Sequence, residues 1–118
     1  MAKVFHVLTK DENDLFVIDN QYTPLSITED GFIHLSKADQ IDEVIQKFYS
    51  NNHELILWRI AEKLILDDLV YEPPIEAPNS GINFPHLYRS LNINEVEKKF
   101  ILKKDSNNKF KLPLNLLD

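Results

Sequence analysis

Residues 31–36 read GFIHLS, and residues 84–89 read FPHLYR. Each stretch sets a histidine among apolar neighbours, where a strand interior ordinarily carries Leu, Ile or Phe. Side chains of an extended segment alternate between faces. Phe32 and His34 therefore share one face, with Ser36 just past the strand end, while Ile33 and Leu35 point toward the core. In the second stretch Pro85 fixes its own backbone and restricts Phe84. His86 follows at once, with Tyr88 and Arg89 beyond it. The expectation is that the two stretches meet and line one pocket, with His6 beneath them. Three histidines drawn from three segments are costly to a core unless a site uses them. A separation of His34 and His86 beyond roughly 12 Å would defeat this expectation.

Outward from these stretches the chain alternates short strands with one clear helix. Lys3–Leu8 (KVFHVL) reads as a strand carrying His6. Residues 11–22 fit either a short helix capped by Asp11 or Asn13, or a strand through LFVI. Pro24 and the Asp30-Gly31 pair signal a turn before FIHL. Ser36 with Asp39 three residues later suggests a capping box. Ile41, Val44, Ile45 and Phe48 then form one helical stripe, which predicts a helix over about 37–50. LILWRI at 55–60 reads as a buried strand, 61–68 as a turn with one helical coil, and 70–72 as a short strand. Residues 73–83 (PPIEAPNSGIN) hold three of the six prolines and one of the two glycines, the composition of a lid or binding loop. FILKK and KFKLP suggest a closing hairpin. The fold class expected is α+β, with small mixed or antiparallel split sheets and one main helix, in a single domain over 1–118.

The composition narrows the function classes. The net charge of −6 and pI near 5.1 argue against general nucleic-acid binding. Zero cysteines exclude disulfides, thiolate metal sites and a cysteine nucleophile. No HxH, HxxxH or HExxH spacing occurs, so no metal is expected. Two glycines leave no glycine-rich phosphate cradle. MAKVFHVLTKDE at the N-terminus reads as neither a secretory signal nor a membrane span, so a cytoplasmic location with no membrane partner is the default expectation.

Taken singly, the candidate residues also have plain readings. His34 ends a strand where a helix begins, a place that favours anions, or it is hydrogen-bonded to nearby backbone. Ser36 is accounted for by capping. His86 is presented rigidly by Pro85, or it is exposed while Phe84, Leu87 and Tyr88 anchor the loop. Arg89 could pair a phosphate or carboxylate. Glu72 in YEPP could be a general base or a surface carboxylate. His53 reads as a surface loop residue.

The order FHVLT, DGFIHLS, helix, apolar strand, VYEPP and FPHLYRSL resembles domain-of-unknown-function family 952 over nearly the whole chain. Arg89 stands where that family usually has Gly, and 11–22 lacks its usual Trp and small residue. The family is remotely similar to the ADP-ribosyltransferase-like fold, a split pair of small sheets cradling NAD. The resemblance implies NAD as the leading candidate substrate. His6 would then contact a ribose, Phe32 or Tyr88 would stack on nicotinamide, and Glu72 would steady the ribose. His34 and His86 would bind phosphate or shuttle a proton, with Ser36 and Arg89 lining the ligand site. An NAD-linked transferase or hydrolase is one reading. A non-catalytic nucleotide or small-molecule binding module is the second, and a structural domain with locally satisfied histidines is the third.

Overall fold

In the computed structural model, which describes residues 2–118, the architecture is α+β and every strand pairing is antiparallel. Three small sheets carry it, where a split pair was expected. The largest orders β1 (Lys3–Leu8), β5 (Glu54–Ala61) and β9 (Val96–Lys103), with β5 central. The second joins β2 (Val17–Ile18), β3 (Gln21–Tyr22) and β8 (Leu91–Asn92). The third orders β4 (Ile33–His34), β7 (Phe84–Leu87) and β6 (Leu69–Glu72).

The apolar run in β5 is explained by burial on both faces. Ile56, Trp58 and Ile60 face one core, shared with Val4, Leu8, Tyr22, Ile33, Leu35 and Leu87 from all three sheets. Leu55 and Leu57 face a second core, shared with Phe5, Val7, Phe100 and Leu102. Helix α3 (Ile41–Phe48) covers that second core, helped by Phe110, Leu112 and Leu116 of the C-terminal segment. Buried Arg59 fastens this segment by donating to the carbonyls of Leu116 at 3.2 Å and Asp118 at 2.7 Å.

Local signals explain the smaller elements, with four corrections to the sequence expectations. Residues 11–22 are both helix and hairpin: α1 (Lys10–Phe16) leads into β2 and β3. The cap of α1 is Thr9, not Asp11 or Asn13. Thr9 and Glu12 form a reciprocal capping box. Asp19 and Asn20 take φ of 52° and 64°, the left-handed pair that a two-residue hairpin needs. The second correction is α2 (Leu25–Glu29), a short helix in place of a turn. Gly31, at φ 90°, stops it by donating its N–H to the carbonyls of Ser26 and Ile27.

The third correction concerns α3. It begins at Ile41 behind a 3-10 turn, Ala38–Gln40, and Ser36 does not cap it. The backbone N–H of Lys37 is instead met by Gln40 Oε1 at 3.0 Å. Ser36 is committed through its backbone, exchanging two 2.8 Å hydrogen bonds with Phe5 on the free edge of β1. That bridge ties the third sheet to the first. The fourth correction is the closing hairpin, which reduces to one bridge between Lys104 and Phe110. Among the described residues no helix is long and apolar enough to cross a membrane.

Candidate functional site

The third sheet builds the site. In the β4–β7 register His34 lies opposite His86, and Ile33 lies opposite Leu87. Ile33 and Leu87 are fully buried in the core, so alternation sends both histidines to the other face. The same alternation adds Phe32, two before His34, and Tyr88, two after His86. On β6, Val70 pairs with His86, which places Glu72 diagonally beside it on the same face. One face of one small sheet thus gathers Phe32, His34, Glu72, His86 and Tyr88.

Their contacts are close. The His34 and His86 rings lie 5.5 Å apart between centroids, edge to face. This is well inside the limit set from the sequence. The Phe32 ring stacks on His86 at 3.9 Å and 15°. His86 Nδ1 donates to Glu72 Oε2 at 2.8 Å, and the Tyr88 hydroxyl donates to the same oxygen. His34 Nε2 meets Asp30 Oδ2 at 2.8 Å. The site therefore holds two carboxylate–imidazole pairs in contact with each other.

Burial sets the protonation of this group. The His86 ring is pushed below the usual histidine range by desolvation, against the pull of Glu72. Neutral His86 that donates from Nδ1 carries a lone pair on Nε2. Glu72 is held below the usual carboxylate range, first by the Tyr88 hydroxyl and then by His86. Tyr88 is pushed up by the same contact.

His6 lies behind this face and has a different setting. Its Nδ1 donates to the His34 carbonyl at 2.8 Å, and its Nε2 accepts from the Tyr22 hydroxyl at 2.7 Å. A carbonyl only accepts, so the partners fix the tautomer. Burial lowers the ring to about 4. One imidazole thereby joins the first sheet to the second through Tyr22 and to the third through His34.

A cavity of about 580 Å³ opens beside the histidines. His6, His34, Ser36 and His86 line it. Apolar wall comes from Phe16, Leu25, Val44, Phe48, Ile82 and Phe84. The stripe on α3 is therefore divided: Ile41 and Ile45 enter the core, while Val44 and Phe48 face the cavity. The 73–83 loop forms one side, and Gln40 Nε2 holds its end through the Asn83 carbonyl at 2.9 Å. Glu12, Asp30, Glu43, Glu76 and Lys47 supply the charge.

Arg89 is not part of this arrangement. It donates to Asp68 at 2.8 Å and grips Glu95 through two 2.9 Å bonds. His53 is exposed in the loop before β5. Asp30, the partner of His34, was missed from the sequence, although its i−4 spacing on a turn before the strand was the available signal. Among the described residues no group of three or more His, Asp or Glu has a metal-holding geometry.

The family model described as Protein of unknown function (DUF952) matches residues 7–99, and the chain belongs to that family. The chain is similar to protein CC0527 from Caulobacter crescentus, a structural genomics target. Against its crystal structure the TM-score is 0.80, with 29% identity over 97% of each chain. Against its solution NMR structure the TM-score is 0.74, with 29% identity over 92% of this chain and 91% of that one. No curated protein matches the chain.

Proposed function

We propose that this member of the DUF952 family acts on a small molecule by acid–base catalysis, with His86 and His34 as the catalytic residues. One observation carries the reading: two carboxylate–imidazole pairs meet at the wall of a cavity of about 580 Å³. Neutral His86 offers Nε2 as a base. Glu72 is a positioning residue that fixes the tautomer and would stabilise the imidazolium formed on proton uptake. Phe32 holds the ring plane by stacking. His34, about half exposed, can return a proton to the other end of a ligand. A positioned acid or base of this kind is worth about 10²–10⁴-fold in rate.

The NAD-linked transferase or hydrolase, with the ADP-ribosyltransferase-like fold, is the finer form of this reading. It draws on the same histidines but has less support from charge. A pyrophosphate needs cations, and Lys47 is already paired with Glu76 at 3.4 Å, beside three further carboxylates in the lining. His6 has both ring nitrogens engaged, and Glu72 is held by His86 and Tyr88. The non-catalytic binding module is favoured by the largely apolar wall and needs no turnover.

Turnover separates these readings. Wild type and His86→Gln would be incubated with a panel of small substrates, NAD among them, and products followed by mass spectrometry. The expected result is a substrate consumed by wild type and slowed about 10²-fold or more by the substitution. Binding without consumption supports the module. Consumption untouched by His86→Gln removes His86 from the chemistry.

A further inference from the structure

We infer that the cavity takes a protonated amine carried on an apolar, ring-sized body. The inference rests on the reading of the cavity as a small-molecule site, and it names the ligand class. Two independent features point to it.

The first is the make-up of the wall. Phe16, Tyr22, Phe48, Tyr49 and Phe84 line it, and aromatic faces attract cations. Glu12, Asp30, Glu43 and Glu76 line it too. Glu76 pairs with Lys47, the one lysine or arginine among the described lining residues, Asp30 meets His34 and Glu12 caps α1, which leaves Glu43 as the carboxylate with no partner among the described residues. Carboxylates around a low-dielectric cleft concentrate cations and repel anions. Leu25, Phe48 and Ile82 are 59%, 60% and 50% exposed, an apolar surface suited to the body of a ligand.

The second feature is the unused nitrogen on the wall. His86 is 1% exposed, lines the cavity and directs Nδ1 at Glu72, which is not among the lining residues, so Nε2 sits on the ring edge away from Glu72. Nε2 has no protein hydrogen-bond partner among the described residues. As the acceptor of a neutral ring it calls for a donor from the ligand. An ammonium N–H supplies one, whereas a carboxylate or phosphate brings only further acceptors.

Three probes with one body and different charge test the inference: 2-phenylethylamine, 2-phenylethanol and 3-phenylpropionate, each titrated into the ¹⁵N-labelled protein near pH 7. The amine is expected to shift resonances of cavity residues, His86 among them, at least 10-fold more tightly than the propionate, with the alcohol between. Glu43→Gln should weaken the amine about 3-fold and leave the alcohol unchanged. A propionate that binds as tightly as the amine overturns the ligand class while leaving the cavity a small-molecule site. Amine shifts spread over the acidic surface and unaltered by Glu43→Gln overturn it as non-specific attraction. If no probe of any charge perturbs the cavity at millimolar concentration, both this inference and the reading beneath it fall.

Discussion

His6 and His86 are both buried, both held below the usual histidine range by that burial, and both tied through Nδ1. They differ at the other nitrogen. Nε2 of His6 is met by the Tyr22 hydroxyl inside the core where three sheets join. Nε2 of His86 has no hydrogen-bond partner among the described residues, on a ring that lines a cavity. Burial alone does not separate a structural histidine from a chemical one; an account of each ring nitrogen does. His6 behaves as a strut, and His86 as a group with capacity to spare.

The largest test of this contrast is stability. His6→Ala strands the Tyr22 hydroxyl and the His34 carbonyl in the core and opens a void. The expected cost is about 3–5 kcal/mol in urea unfolding. His86→Gln keeps most of the volume and leaves a partner for Glu72, so about half that cost is expected. Equal losses would break the distinction.

A second test uses acid. His6 takes up its proton near pH 4 when folded and near 6.5 when unfolded. The unfolded chain binds more protons between those values, so stability falls as pH drops from about 6.5 to 4. The part due to His6 is about 3 kcal/mol across that window. His86, also lowered, adds a loss of the same sign. Urea midpoints at pH 4.5 and 7 should differ clearly in wild type and much less in His6→Gln. A parallel fall in the variant would assign the acid limb to other groups.

A third test sharpens the His86 side alone. Glu72 is the main influence holding the His86 ring up against its burial. Glu72→Gln should therefore move the His86 NMR titration further down and leave His6 where it is. An unchanged His86 titration would mean that the Glu72 contact is not made in solution.

Much of this geometry was legible because it follows from alternation. Two stretches of period-2 sequence place Phe32, His34, His86 and Tyr88 on one face, provided the strands pair. Turn chemistry was legible only in part. Asp30-Gly31 marked a stop, but the stop belongs to α2, whose five residues are too few to show a period. Ser36 looked like a cap because Ser followed by Asp at three residues is the usual pattern. Its backbone was instead taken by the edge of β1, a contact between distant segments that no local window contains. The role of His6 was hidden for the same reason. Its partners lie 16 and 28 residues away, and which nitrogen each one takes depends on packing among three sheets.

The smallest expected effect is at Arg89, where the sequence resemblance implies Gly. Tyr88 shares the face of His86, so Arg89 points away from it, toward Asp68 and Glu95. Its side chain is one-third exposed, and a network of this kind is worth about 1 kcal/mol or less. Arg89→Ala should lose no more than that and leave the His86 titration and amine binding unchanged. Arg89→Gly removes the same ion pairs and adds backbone freedom, at a further cost of about 0.5–1 kcal/mol. The difference between the two variants isolates the backbone contribution. A His86 titration that moves in the glycine variant but not in the alanine one would show that strand stiffness beyond Tyr88 helps position the imidazole. Identical titrations would show that pairing with β4 and β6, together with the Phe32 stack, suffices.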